Sequence, residues 1–187
     1  MKITKLGLEG LFEITPESHN DFRGFLTRVW DDNIFQEAGL NAKWVQESHS
    51  HTEKRNTIRG FHVQFSPYTE AKLIRAIKGE VKWVVVDLRK NSSTFGQWTS
   101  AVLTDKLKNI LYIDKGFANG SITLSDEVDL IIKADNYFGQ NLGTGINWKD
   151  PDLCIDWGLI PEEKPIVLER DDHYHSFKEF KERYGGV

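Results

Sequence analysis

The sequence predicts a mainly β protein, an antiparallel sandwich or barrel of many short strands with a few short helices and one helix at the carboxyl end. Runs rich in Val, Ile, Trp, Tyr, Phe and Thr recur between turn formers about every 8–12 residues, the spacing of an all-β domain. Apolar residues at helical period are almost absent until past residue 176. With 187 residues and 39% hydrophobic content, the chain suffices for one substantial core and is short for two, so residues 1–187 read as a single domain.

Residues 1–14 alternate weakly and are interrupted by Gly7 and Gly10, which predicts one or two short strands. Thr15-Pro16-Glu17-Ser18-His19-Asn20 reads as a polar loop, and Asp21 to Leu26 as a turn with a solvated arginine. Asp31 to Gly39 has side chains able to cap a helix at one end and a glycine at the other, so a short helix is expected. Strands are then predicted over 43–50, 57–65, 71–78, 80–88, 99–103, 109–113, 121–124 and 127–133. Lys78-Gly79-Glu80 reads as a hairpin turn. The consecutive Val84-Val85-Val86 predicts a strand covered on both faces. Residues 138–145 and 148–152 read as loops, and Ser176-x-x-Glu179 has the spacing of a capping box opening a helix that stops at Gly185-Gly186.

The formal charge of −4 and the lack of a basic run with interleaved aromatics argue against nucleic acid as a partner. Charges break the apolar content of residues 1–10, and no stretch approaches the ~18 apolar residues of a membrane span. A cytoplasmic protein with no membrane partner is the expectation. The lone Cys154 has no thiol to pair with and reads as buried and inert.

The chemistry is expected between Thr57 and Lys72, where an imidazole lies between an arginine and a lysine. In an extended strand His62 and Gln64 share a face, and Arg59 joins them only if the chain twists or bulges at Gly60. His49-Ser50-His51 followed by Glu53 invites a metal reading, since alternate histidines on a strand point one way. That reading wants a further histidine near Gly116-Phe117, where Asn119 stands instead, so the two histidines are expected to line or rim a pocket without metal.

Blocks in one order along most of the chain resemble the dTDP-4-dehydrorhamnose 3,5-epimerase family: Asp21-Phe22-Arg23-Gly24-Phe25, Trp44-Val45-Gln46, Ile58 to Gln64, and Lys72-Leu73-Ile74-Arg75. Further blocks are Val86-Asp87-Leu88-Arg89 with Ser93-Thr94-Phe95-Gly96, Lys115-Gly116-Phe117-Ala118, Gly145 to Pro151, and Glu169-Arg170-Asp171. The resemblance implies a cupin-type jelly-roll barrel that forms a homodimer with an exchanged amino-terminal strand and uses no cofactor or metal. It implies epimerisation of a nucleotide diphosphate 4-keto-6-deoxy sugar at C3, C5 or both, within surface-polysaccharide biosynthesis. His62 would be the base, Asp171 its orienting carboxylate and Lys72 the cation facing the enolate. Arg23 and Arg59 would grip the pyrophosphate, and Gln46, Ser50, Gln64 and Asn119 would contact substrate, with Phe25 and Tyr137 packing the base.

The chain also departs from the family pattern. Ile132 stands where the family's acid tyrosine is expected, and a branched alkane donates no proton. Water, Tyr137 or His49 would then supply the proton. Alternatively the scaffold serves a keto-sugar isomerase or another nucleotide-sugar reaction, or binds a sugar nucleotide without turnover.

Overall fold

The structure, a computed structural model, describes residues 1–40, 43–140, 143–160 and 162–187. Its strands are β1 (Lys2–Lys5), β2 (Leu11–Thr15), β3 (Ser18–Asp21), β4 (Gly24–Thr27), β5 (Gln46–Thr52), β6 (Thr57–Gln64) and β7 (Lys72–Lys78), followed by β8 (Glu80–Asp87), β9 (Trp98–Thr104), β10 (Ile110–Ile113), β11 (Phe117–Thr123), β12 (Val128–Ala134), β13 (Gly143–Gly145) and β14 (Ile166–Val167). The helices are α1 (Asp32–Glu37), α2 (Glu169–Asp172) and α3 (Phe177–Tyr184). One sheet runs β1-β2-β10-β7-β12-β5 and a second runs β13-β6-β11-β8-β9, with β14 parallel beside β6 and β3-β4 forming a separate hairpin. The antiparallel, two-sheet architecture with a carboxyl-terminal helix is the cupin-type jelly roll expected from the sequence.

The inner faces of the sheets meet over a core that includes Leu11, Ile74, Val85, Leu103, Leu111 and Leu130. Behind the second sheet, Val84, Val86, Ile58, Phe61 and Ile122 pack against Trp157 and against Phe180 of α3. Val84-Val85-Val86 is therefore covered on both faces, as its unbroken apolar run predicts, with all three fully buried. Behind the first sheet, Phe35 of α1 closes a third cluster with Ile14, Leu73, Ile110 and Tyr112. Asp31 caps α1 by accepting from Ile34 N, and Ser176 with Glu179 forms the predicted capping box on α3, which ends at a left-handed Gly185. No helix among the described residues is long and apolar enough to cross a membrane.

Four expectations are corrected. Lys78-Gly79-Glu80 is a corner between the sheets: both edges of β7 are taken by β10 and β12, so β8 has no edge left to pair with it. The polar stretch at 15–20 contributes β3, because Asp21 accepts from Arg23 N at 2.8 Å and folds the following residues back as β4. Cys154 is exposed in the turn after Pro151. The expected loop over 138–145 ends as β13, paired with β6; residues 141 and 142 of that stretch lie outside the described residues.

One of the resembling blocks serves the fold. Burial pushes the Asp87 carboxyl up, but bonds from the Arg89 guanidinium, Thr94, Ser92 and the Arg89 amide outweigh it and hold its pKa at about 2. Asp87 thus pins the turn after β8 as a fully enclosed anion.

Candidate active site

Between Arg59 and His62 strand β6 takes three steps while its partner β11 takes two, with His62 opposite Asn119 and Arg59 opposite Ser121. The extra residue is a bulge at Gly60, whose φ of +107° is open to glycine and strained for other residues. A Cβ there would lie 2.7 Å from the Asn119 carbonyl oxygen and 2.8 Å from Gly120 Cα. The bulge does what the spacing requires: Arg59, His62 and Gln64 all line one cavity of about 560 Å³, within the usual range for small-molecule sites.

His62 meets Asp171 across the chain, Nε2 to Oδ1 at 3.0 Å. The other Asp171 oxygen accepts from Gly60 N at 2.9 Å, so one carboxylate fixes both the bulge and the ring two residues beyond it. Burial raises the Asp171 carboxyl, but the bonds from His62 and Gly60, the His62 charge and Arg170 together hold it below the ordinary carboxylate value. An ionised Asp171 only accepts, so His62 Nε2 carries the hydrogen and the lone pair sits on Nδ1, the basic atom. Asp171 is 2% exposed and sits on α2, a one-turn helix packed on β6 that the sequence reading did not foresee.

The facing wall comes from the other sheet. Ser50 on β5, Lys72 on β7 and Leu130 and Ile132 on β12 line the same cavity. Lys72 Nζ donates to Glu70 Oε1 at 2.6 Å. Asn119 lines the cavity beside His62 and donates to the His62 carbonyl at 3.3 Å. Arg59 is steadied by Thr52 Oγ1 and the His51 carbonyl, and Gln64 accepts from Gly139 N at 2.8 Å, which ties the 138–140 segment to the rim.

The structure therefore gathers Ser50, Arg59, His62, Gln64, Lys72 and Asn119 on the cavity with Asp171 behind it, and leaves four expected residues off it. Gln46 holds Phe138 N at 2.9 Å, and it is Phe138, not the exposed Tyr137, that lines the cavity. Arg23 and Phe25 sit on the β3-β4 hairpin, where Arg23 pairs with Asp21 and Phe25 lies under Lys108. His49 and His51 neither line nor rim the cavity. They point out of the opposite face of β5 and share Asp129 Oδ1 at 2.8 and 3.0 Å, while Ser50 between them faces inward. His49 is thus removed as a proton source. Among the described residues no group of three or more His, Cys, Asp or Glu is placed to hold a metal ion.

Among the cavity residues not expected as site residues are Glu70, Arg170 and Tyr174. Period two counted back from Lys72 would have found Glu70. Arg170 donates to Asp171 at 3.2 Å, and Tyr174 sets its ring edge-on to His62 with centroids 5.9 Å apart. Burial, with a smaller effect of Asp171 opposed by Arg170, raises the Tyr174 phenol above its ordinary pKa.

The family model described as dTDP-4-dehydrorhamnose 3,5-epimerase matches residues 5–179. The chain belongs to that family. A relative carrying the same name in Methanothermobacter thermautotrophicus is 38% identical over 95% of this chain and 95% of its own. The crystal structure of dTDP-4-dehydrorhamnose 3,5-epimerase from Elizabethkingia anophelis superposes with a TM-score of 0.90 at 34% identity, covering 96% of this chain and 97% of that one. A Legionella pneumophila dTDP-6-deoxy-D-glucose-3,5-epimerase, solved in complex with dTDP-4-keto-L-rhamnose, gives 0.88 at 32% identity over 94% and 92%. As a member of the dTDP-4-dehydrorhamnose 3,5-epimerase family, this chain presents an imidazole backed by an acid on one sheet and a paired ammonium on the other. That arrangement can take a proton from carbon and compensate the charge left on a neighbouring oxygen.

Proposed function

We propose that this protein is an epimerase of a thymidine-diphosphate-linked 4-keto-6-deoxy sugar, inverting C3, C5 or both as a step toward surface polysaccharide. The observation that carries the reading is the His62–Asp171 pair opening onto the cavity that also holds Lys72. The C4 ketone acidifies the hydrogens on C3 and C5. His62 Nδ1 removes one, the C–H pair moves into the C4–O enolate, and Asp171 compensates the imidazolium. The Lys72 ammonium offsets the negative oxygen from across a partly enclosed cavity. Arg59 offers a planar fork of donors to the diphosphate, with Ser50, Gln64 and Asn119 as further contacts.

Incubation with the dTDP-linked 4-keto-6-deoxy sugar in deuterium oxide, reading exchange at C3 and C5 separately, tests the proposal. Exchange with inversion at either carbon is expected, and tight binding with no exchange would overturn it in favour of a non-catalytic binder.

The proposal includes a homodimer in which the β3-β4 hairpin crosses to the partner and brings Arg23 and Phe25 to its cavity. Its support is a hairpin carrying Phe22, Phe25 and Leu26 at 98, 62 and 74% exposure, apolar surface that a second subunit would cover. Sedimentation should give a dimer that Phe22→Asp weakens; a monomeric parent would remove this part.

A further inference from the structure

We propose that the Lys72 ammonium, held in place by Glu70, is the acid that returns the proton on the sugar face opposite His62. The inference rests on the epimerase reading above, since inversion needs a base on one side of the carbon and an acid on the other. His62 belongs to the sheet of β6 and β11, and the cavity groups near it share that side. Arg59 and Asn119 lie on the same two strands, the Tyr174 ring stands 5.9 Å from the imidazole, and Arg170 Nη2 lies 3.4 Å from Nε2. The opposite wall, built by β5, β12 and β7 with the residues leading into it, brings Ser50, Glu70, Lys72, Leu130 and Ile132 to the cavity. Two of those side chains are hydrocarbon and one is an alcohol too weakly acidic to protonate an enolate carbon, which leaves the Glu70–Lys72 pair.

The placement suits the task. On β12, Ala134 pairs with Lys72 and Ile132 with Ile74, so Lys72 is the diagonal neighbour of Ile132 on one face of the sheet. A long side chain spans that diagonal and can occupy the space beyond a short apolar one. The lysine and glutamate side chains are only 19% and 14% exposed, so the pair is held by the protein and not dispersed by water. An ammonium has three N–H donors. Glu70 takes one at 2.6 Å, leaving one to steady the C4 oxygen and one to deliver.

The step balances. The C–H bond on the His62 side breaks as Nδ1–H forms, and its electron pair enters the C4–O enolate. On the other side an N–H of Lys72 breaks as the new C–H forms, leaving a neutral amine beside the Glu70 carboxylate. That amine takes a proton from water, and the imidazolium gives one up to water. One solvent hydrogen therefore enters the sugar at each inversion. Lys72 is the catalytic group and Glu70 the positioning residue.

Glu70→Gln keeps the shape of the side chain and removes its charge, which allows the two halves of the reaction to be separated in deuterium oxide. Exchange from the His62 face should fall several-fold, because a less firmly held Lys72 also steadies the enolate less well, while inversion falls by about a further 10-fold or more, within the range that general acids supply. Glu70→Asp should recover part of the inversion. The proposal is overturned if Glu70→Gln inverts at the parent rate, or if Tyr174→Phe is the change that separates exchange from inversion. A parent that exchanges without inverting also removes this acid while leaving His62 as base. A parent with no exchange at all removes the base as well.

Discussion

Replacing His62 with asparagine is expected to lower hydrogen exchange at C3 and C5 by about 10²- to 10⁴-fold, the usual contribution of a positioned base. The side chain is 41% exposed at the cavity wall, so the substitution opens no core void and the protein should fold as the parent does. The amide that replaces the ring can still meet Asp171, but it has no lone pair of comparable basicity. NMR of substrate incubated in deuterium oxide, with matched circular dichroism spectra, is the measurement. A folded His62→Asn protein that exchanges at the parent rate would show that another group takes the proton.

The second large effect belongs to Gly60. Gly60→Ala places a methyl 2.7 Å from a backbone oxygen at a φ of +107°, and neither the neighbouring strand nor the dihedral can yield cheaply. Strain and overpacking together should cost about 2–5 kcal/mol. In urea that is a fall of roughly 1–2 M in the unfolding midpoint for a protein of this size. Any fraction that folds should also lose activity, because restoring space at Gly60 flattens the bulge and turns Arg59 and His62 to opposite faces. An unchanged midpoint would mean that the bulge is not needed in the form described.

Those two residues were legible in the chain because each obeys a local rule. Period two places His62 with Gln64, and the misfit of Arg59 by one step identifies Gly60 as the site of the extra residue. The same parity rule was insufficient at His49 and His51. Alternation says which residues share a face but not which face is inward, and the cavity received the small Ser50 while the histidines met Asp129 outside. The β7-to-β8 connection was misread for a related reason. A glycine between two β runs is written the same way whether the runs pair or enter different sheets, and only the competing edges of β10 and β12 decide. Asp171 could not be found by any spacing, since 109 residues separate it from His62; family resemblance alone supplied it. Arg23 and Phe25, read in the same way, sit on a hairpin clear of this chain's own cavity, which local rules could not reveal.

The double grip of Asp171 on the imidazole and on the Gly60 amide has a consequence for the timing of assembly. Every strand that walls the cavity precedes residue 171 in the chain. The container and the group that orients its proton acceptor thus come from separate parts of the chain, and the ring is aligned only once α2 docks on β6.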